Sequence, residues 1–172
     1  MFLVLLLVFT LMLAAHPVES NYAGESFLHY LNLPFHEAGH IVFSLLGRFM
    51  AVLGGSLLQL LVPAAVLVSF LYYRNPFAAS VGLWWLGESL MDIAPYINDA
   101  RSLTLVLLGG VTGRDVDDYH DWEYLLRETG LLAWDHGLAA AAHWSGIVLL
   151  FCALVWVGAV LWRQAGKLRE HS

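Results

Sequence analysis

Apolar runs at 1–15, 33–47, 57–73, 78–97 and 146–162 constrain this chain more than any other feature. Lipid offers no water to backbone N–H and C=O groups, so a spanning segment must pair them internally, as a helix does. A soluble domain is about half apolar and about a quarter charged. This chain of 172 residues is 59% hydrophobic and 13% charged. The expectation is an all-α integral membrane protein, a single membrane domain with about four to five transmembrane helices.

The runs differ in character. Residues 1–15 read as a retained first membrane helix, with a signal peptide as the alternative, although no Lys or Arg opens the run and Ala14-Ala15-His16 makes a poor cleavage site. A second helix over 33–47 is expected to begin near Pro34, which suits a first helical turn, and to stop at Gly47-Arg48. Residues 48–56, with Gly54-Gly55, read as a short membrane-embedded extended or re-entrant segment. Helices follow over 57–73, bent at Pro63, and over 78–97. An acidic loop and polar-faced helical region fills 98–145, before a last membrane helix over 146–162 and a basic tail over 163–172. That tail, with Arg163, Lys167 and Arg169, places the C-terminus on the cytoplasmic side.

Charge and cysteine content exclude two classes of function. The formal net charge is -6, and without a basic stripe the chain has no footprint for nucleic acid. Its single cysteine, Cys152, can form neither an internal disulfide nor a site of several thiolates.

Within the second run lies His36-Glu37-Ala38-Gly39-His40. On a helix, residues four apart leave the same face one turn apart, so both imidazoles can bind one zinc ion while Glu37 lies beside it. A carboxylate there can take a proton from a water that the metal has acidified, which is peptide-hydrolysis chemistry. The third ligand is sought among Asp92, Asp99, His120, Asp121, His136 and His143. Asp92 leads, because a mid-helix carboxylate in an apolar span is costly without a partner.

Further polar residues are candidates for accessory or substrate-positioning roles. Glu88, Asp92 and Asp99 follow one helix face, and Pro95 leaves the Met91 carbonyl without its usual donor. Gln59 can hold a substrate strand or a developing oxyanion, or else bond to a neighbouring helix. His120-Asp121-Trp122 reads either as a lid or accessory ligand, or as an interfacial turn anchored by Trp122. His136 and His143 share a face as a second metal pair or a solvated stripe.

Over roughly Leu33 to Tyr96 the chain resembles the site-2 protease family of intramembrane zinc metallopeptidases. The likeness rests on His36-Glu37-Ala38-Gly39-His40, the glycine-containing segment followed by Gln59, and a later helix with Asp92. It implies one zinc per chain held by His36, His40 and Asp92, with Glu37 as general base. Two departures stand out: Ile93 follows Asp92 where the family has glycine, and Pro95 and Asn98 replace its asparagine-proline element. The whole chain also looks like a group of small bacterial membrane proteins, which implies a place in the bacterial cytoplasmic (inner) membrane.

The expected function is therefore a zinc metalloendopeptidase that cuts membrane-protein or peptide substrates in the bilayer, with the edge of 48–56 pairing with an unwound substrate strand. Two alternatives remain open from the sequence. One is a non-catalytic zinc-binding membrane protein, a sensor or transport accessory, in which His36, His40, Asp92 and His120 saturate the metal. The other is an assembly subunit with no metal.

Overall fold

The computed structural model describes residues 1–170, with side chains through Gly166. Lys167 and Arg169, expected to mark the cytoplasmic end, lie outside the described side chains. Among the described residues the chain is all-helical: α1 (Phe2–Ala14), α2 (His29–Phe43), α3 (Arg48–Tyr72), α4 (Pro76–Asn98), α5 (Asp121–Glu128) and α6 (Asp135–Glu170). Two stretches, Arg48–Tyr72 and Leu132–Gly166, are long and apolar enough to cross a membrane. At a rise of about 1.5 Å per residue, α3 alone reaches about 37 Å, more than the hydrocarbon core of a bilayer.

α4 is the central element. Asn75 caps it by accepting the Ala78 N–H at 3.1 Å, and Pro76 fills the first turn, where its missing N–H costs nothing. It lies against α3, α6 and the N-terminal half of α2, and small residues allow the approaches to α3 and α6. A Cβ on Gly87 would lie 2.9 Å from the Gly146 carbonyl oxygen of α6, and one on Gly82 would lie 2.8 Å from the Leu67 nitrogen of α3. Such close crossings suit helices that gain little from hydrophobic association and rely on packing instead. α1 rests on this pair through Leu6 and Leu13, and Trp84 Nε1 donates to Thr10 Oγ1 at 2.8 Å. Ile93, Ile97, Leu126 and Ala139 form a second apolar cluster where α5 docks.

Three expectations need correction. Residues 48–56 are helical and continuous with 57–73, so the extended or re-entrant segment, and its strand edge for a substrate, are not present. Gly47, at φ +92°, makes the turn. Gly54 and Gly55 instead let α3 touch α2: a Cβ on Gly39 would lie 2.0 Å from the Gly54 carbonyl oxygen. α2 begins at His29, with Pro34 inside it, because His29 and Asn32 are tied to α4 by side-chain hydrogen bonds. The last helix begins at Asp135 rather than near 146, since the alanine-rich stretch 139–142 favours helix.

Candidate metal centre

α2 carries His36 and His40 one turn apart, and Gly55 of α3 leaves the space in front of them. A Cβ at Gly55 would sit 2.6 Å from His36 Nε2 and 2.7 Å from His40 Nε2, so a side chain there would fill the cradle. The third wall is Asp121, at the start of α5. Its Oδ2 lies 3.1 Å from His36 Nε2 and 3.4 Å from His40 Nε2. These three residues each offer a ligand atom, all within 4.8 Å of one another, and the group can hold a metal ion.

Hydrogen bonds behind the imidazoles fix their orientation. His40 Nδ1 lies 2.9 Å from the Ala51 carbonyl, which can only accept, so Nδ1 carries a proton and Nε2 is the nitrogen left for a metal. His36 Nδ1 donates in the same way to Gln59 Oε1 at 3.0 Å. Metal-binding histidines are usually held like this, through the ring nitrogen that does not bind. In the metal-free site a 3.1 Å hydrogen bond from His36 Nε2 to Asp121 Oδ2 closes this space, and a metal ion can take the place of that proton. The donor set and the cradle at Gly55 both fit a metal ion.

Asp121 reaches the site because the preceding loop is tightly organised. Asp99 Oδ1 accepts from Ser102 Oγ at 2.6 Å and from the Thr104 N–H at 3.0 Å, and Oδ2 accepts the Leu105 N–H at 2.9 Å. His120 is fully buried; its Nδ1 caps α5 by accepting the Glu123 N–H at 3.1 Å, and its Nε2 makes a long 3.5 Å approach to Asp99 Oδ2. Burial would raise the Asp99 carboxyl, but the contacts from His120, Ser102 and the two amides outweigh it and hold the group well below the usual carboxylate range. Next along the chain, the Asp121 N–H donates to the Tyr96 hydroxyl at 2.8 Å, and Trp122 Nε1 donates to Ser56 Oγ at 3.1 Å. Outside these, Asp118 joins Arg48 at 3.1 Å and Arg127 at 3.0 Å, tying the loop to α3 and α5.

A cavity of about 350 Å³ opens over the centre. Its walls include Glu37, Asp92 and Tyr96 together with the apolar strip Leu105 to Leu108. Glu37 is half-buried, and its carboxylate forms no hydrogen bond or ion pair among the described residues.

The structure brings together His36, His40 and Asp121, with Glu37 beside them, whereas Asp92 stands one hydrogen bond further back. Its oxygens accept from His29 Nδ1 at 2.9 Å, Asn32 Nδ2 at 3.1 Å and Gln59 Nε2 at 2.8 Å. Gln59 thus lies between Asp92 and His36 rather than facing a substrate. Glu88 is buried behind them, taking one bond from Asn32 Nδ2 at 2.9 Å and leaving Oε1 without a partner. Asn98 faces away from the cavity and bonds His136 Nδ1 at 2.8 Å, which separates His136 from any pairing with His143. With His120 turned to Asp99, the set His36, His40, Asp92 and His120 is not assembled.

His29 and Asn32 were not apparent as site residues from the sequence. Their signal is the spacing from His29 to Asn32, His36 and His40, in steps of three, four and four, which extends the polar face of α2 by two turns. A helix started at Pro34 hides it. No family model, curated protein or solved structure matches this chain.

Proposed function

We propose that this protein is a membrane-embedded zinc metalloendopeptidase of a bacterial cytoplasmic membrane, with α1, α2, α3, α4 and α6 as its membrane helices. The observation that carries the proposal is the convergence of His36 Nε2, His40 Nε2 and Asp121 in one cavity with Glu37, which has no partner among the described residues. The membrane setting is supported by how little the two longest apolar stretches are covered. Only 28% of the apolar window in Arg48–Tyr72 and 22% of that in Leu132–Gly166 is buried, where a soluble core helix would be mostly covered. Val68, Val148 and Val155 are among the exposed side chains, and lipid is the solvent that suits them.

His36, His40 and Asp121 would hold the zinc, which when bound would supply a Lewis acid to acidify water and polarise a carbonyl. Glu37 accepts the proton of the attacking water and returns it to the leaving amine nitrogen, so one water is consumed as the C–N bond breaks. Tyr96 and Trp122 hold Asp121 in register with the two histidines through their hydrogen bonds. The strip Leu105 to Leu108 gives apolar substrate side chains a wall to lie against. A substrate helix must unwind first, because its own hydrogen bonds occupy every carbonyl.

The test compares wild-type protein with Glu37→Gln in detergent, using mass spectrometry to follow cleavage of unstructured peptides rich in apolar residues. Cleavage is expected to fall by about 10²- to 10⁴-fold in Glu37→Gln with the zinc content unchanged. Equal cleavage by the two proteins would remove the catalytic role, leaving a binding protein.

A further inference from the structure

We propose that Asp92 and Gln59 are positioning residues that act in series on His36, with Asp92 outside the metal's ligand set. The inference rests on the metal-binding reading above and assigns the buried Asp92 carboxylate a role distinct from ligation. Asp92, Gln59 and His36 are each at most 9% exposed, so water competes little for these bonds.

The direction of each bond follows from chemistry. Asp92 accepts from Gln59 Nε2 at 2.8 Å, which fixes which end of the amide faces it and turns Oε1 towards α2. That oxygen has no proton to give, so His36 Nδ1, 3.0 Å away, must be the donor. Nε2 is then the nitrogen left facing Asp121 and the cradle at Gly55, where a metal can replace the proton it shares with Asp121. Without the anchoring carboxylate the Gln59 amide is free to turn over and present its NH₂ to His36. The ring would then favour a proton on Nε2, where it blocks a metal. Asn32 and His29 hold Asp92 from the opposite side, so its carboxylate cannot follow Gln59 if that residue moves.

Two measurements on the full-length protein in detergent test this. The first is metal affinity by chelator competition for Gln59→Leu, Asp92→Ala and the double variant, with the cobalt(II) absorption spectrum of each. Each single variant is expected to weaken binding by about 10- to 100-fold, the usual effect of removing a group that orients a ligand. The double variant should be no weaker than either single one, because both act through the same bond to His36. The cobalt spectrum, which reports the ligand atoms themselves, should keep its band positions. Independent, multiplying losses, or a cobalt spectrum altered by Asp92→Ala alone, would overturn the proposal and return Asp92 to the ligand set.

The second measurement is histidine ¹⁵N NMR of the metal-free protein, which reads the tautomer of His36 directly. Once the ring is neutral at high pH, the wild-type proton should sit on Nδ1, and Gln59→Leu should shift it towards Nε2, the tautomer that the Asp121 contact alone favours. An unchanged tautomer would overturn the proposal even if metal binding is intact. A wild-type protein that binds no metal but shows the expected tautomer shift would instead refute the metallopeptidase reading while sparing the relay.

Discussion

Gly55→Ala should destroy the metal site while leaving the fold standing. The added methyl carbon would lie 2.6 Å from His36 Nε2 and 2.7 Å from His40 Nε2, and ordinary contact begins near 3.4 Å. The His36 ring must therefore retreat by about 0.8 Å and the His40 ring by about 0.7 Å, whereas a zinc site tolerates only about 0.2 Å in its ligand distances. The rings cannot retreat freely, since Nδ1 of each is held, one by Gln59 and the other by the Ala51 carbonyl. We expect zinc affinity to fall by about 100-fold or more, comparable to the effect of a misplacement near 1 Å on a working site. The crowding costs about 1–3 kcal/mol, partly offset by about 1 kcal/mol from replacing glycine with alanine inside a helix. Chelator competition and thermal unfolding in detergent would measure both. Gly158→Ala on α6 is the control, because a Cβ there meets nothing within 4 Å. It should keep the metal and match or exceed wild-type stability. If Gly55→Ala bound zinc as tightly as wild type, the space before Gly55 would not be the metal seat.

Other consequences concern the loop that delivers Asp121. Because the folded Asp99 carboxyl titrates below its unfolded value, its contribution to stability is present above about pH 4 and lost as pH falls through the folded value. Asp99→Asn should lower the thermal midpoint at neutral pH and reduce the difference between neutral and acid midpoints, and parallel curves for the two proteins would contradict this. Trp122→Phe removes the bond to Ser56 and should cost about 1 kcal/mol, measured by chemical unfolding, with weaker metal binding as Asp121 loosens. Ser56→Ala should reproduce most of that loss, and the two changes together should add little.

The juxtaposition of His36, Glu37 and His40 was legible in the sequence because the three belong to a single helix turn. His36, Glu37 and His40 need only the period of an α-helix to come together. Asp121 is 85 residues from His36, and its arrival depends on the Asp99 turn and the Tyr96 and Trp122 bonds, none of which leaves a periodic mark. Asp92 looked the stronger ligand because a buried carboxylate needs partners, and it has them in His29, Asn32 and Gln59. Burial thus identified a residue with an important neighbour without saying which neighbour. Gly54 and Gly55 misled for a related reason. Glycine marks a turn in an isolated chain but a close approach between helices in a packed one, and here the approach is to Gly39 and the two imidazoles.

The most direct test of the centre is zinc content, by elemental analysis of the detergent-purified protein, for wild type, Asp121→Ala and His36→Ala. The arrangement of His36, His40 and Asp121 predicts about one zinc per chain in wild type and a large loss in both variants. Full zinc retention in Asp121→Ala, or no zinc in wild type, would contradict it.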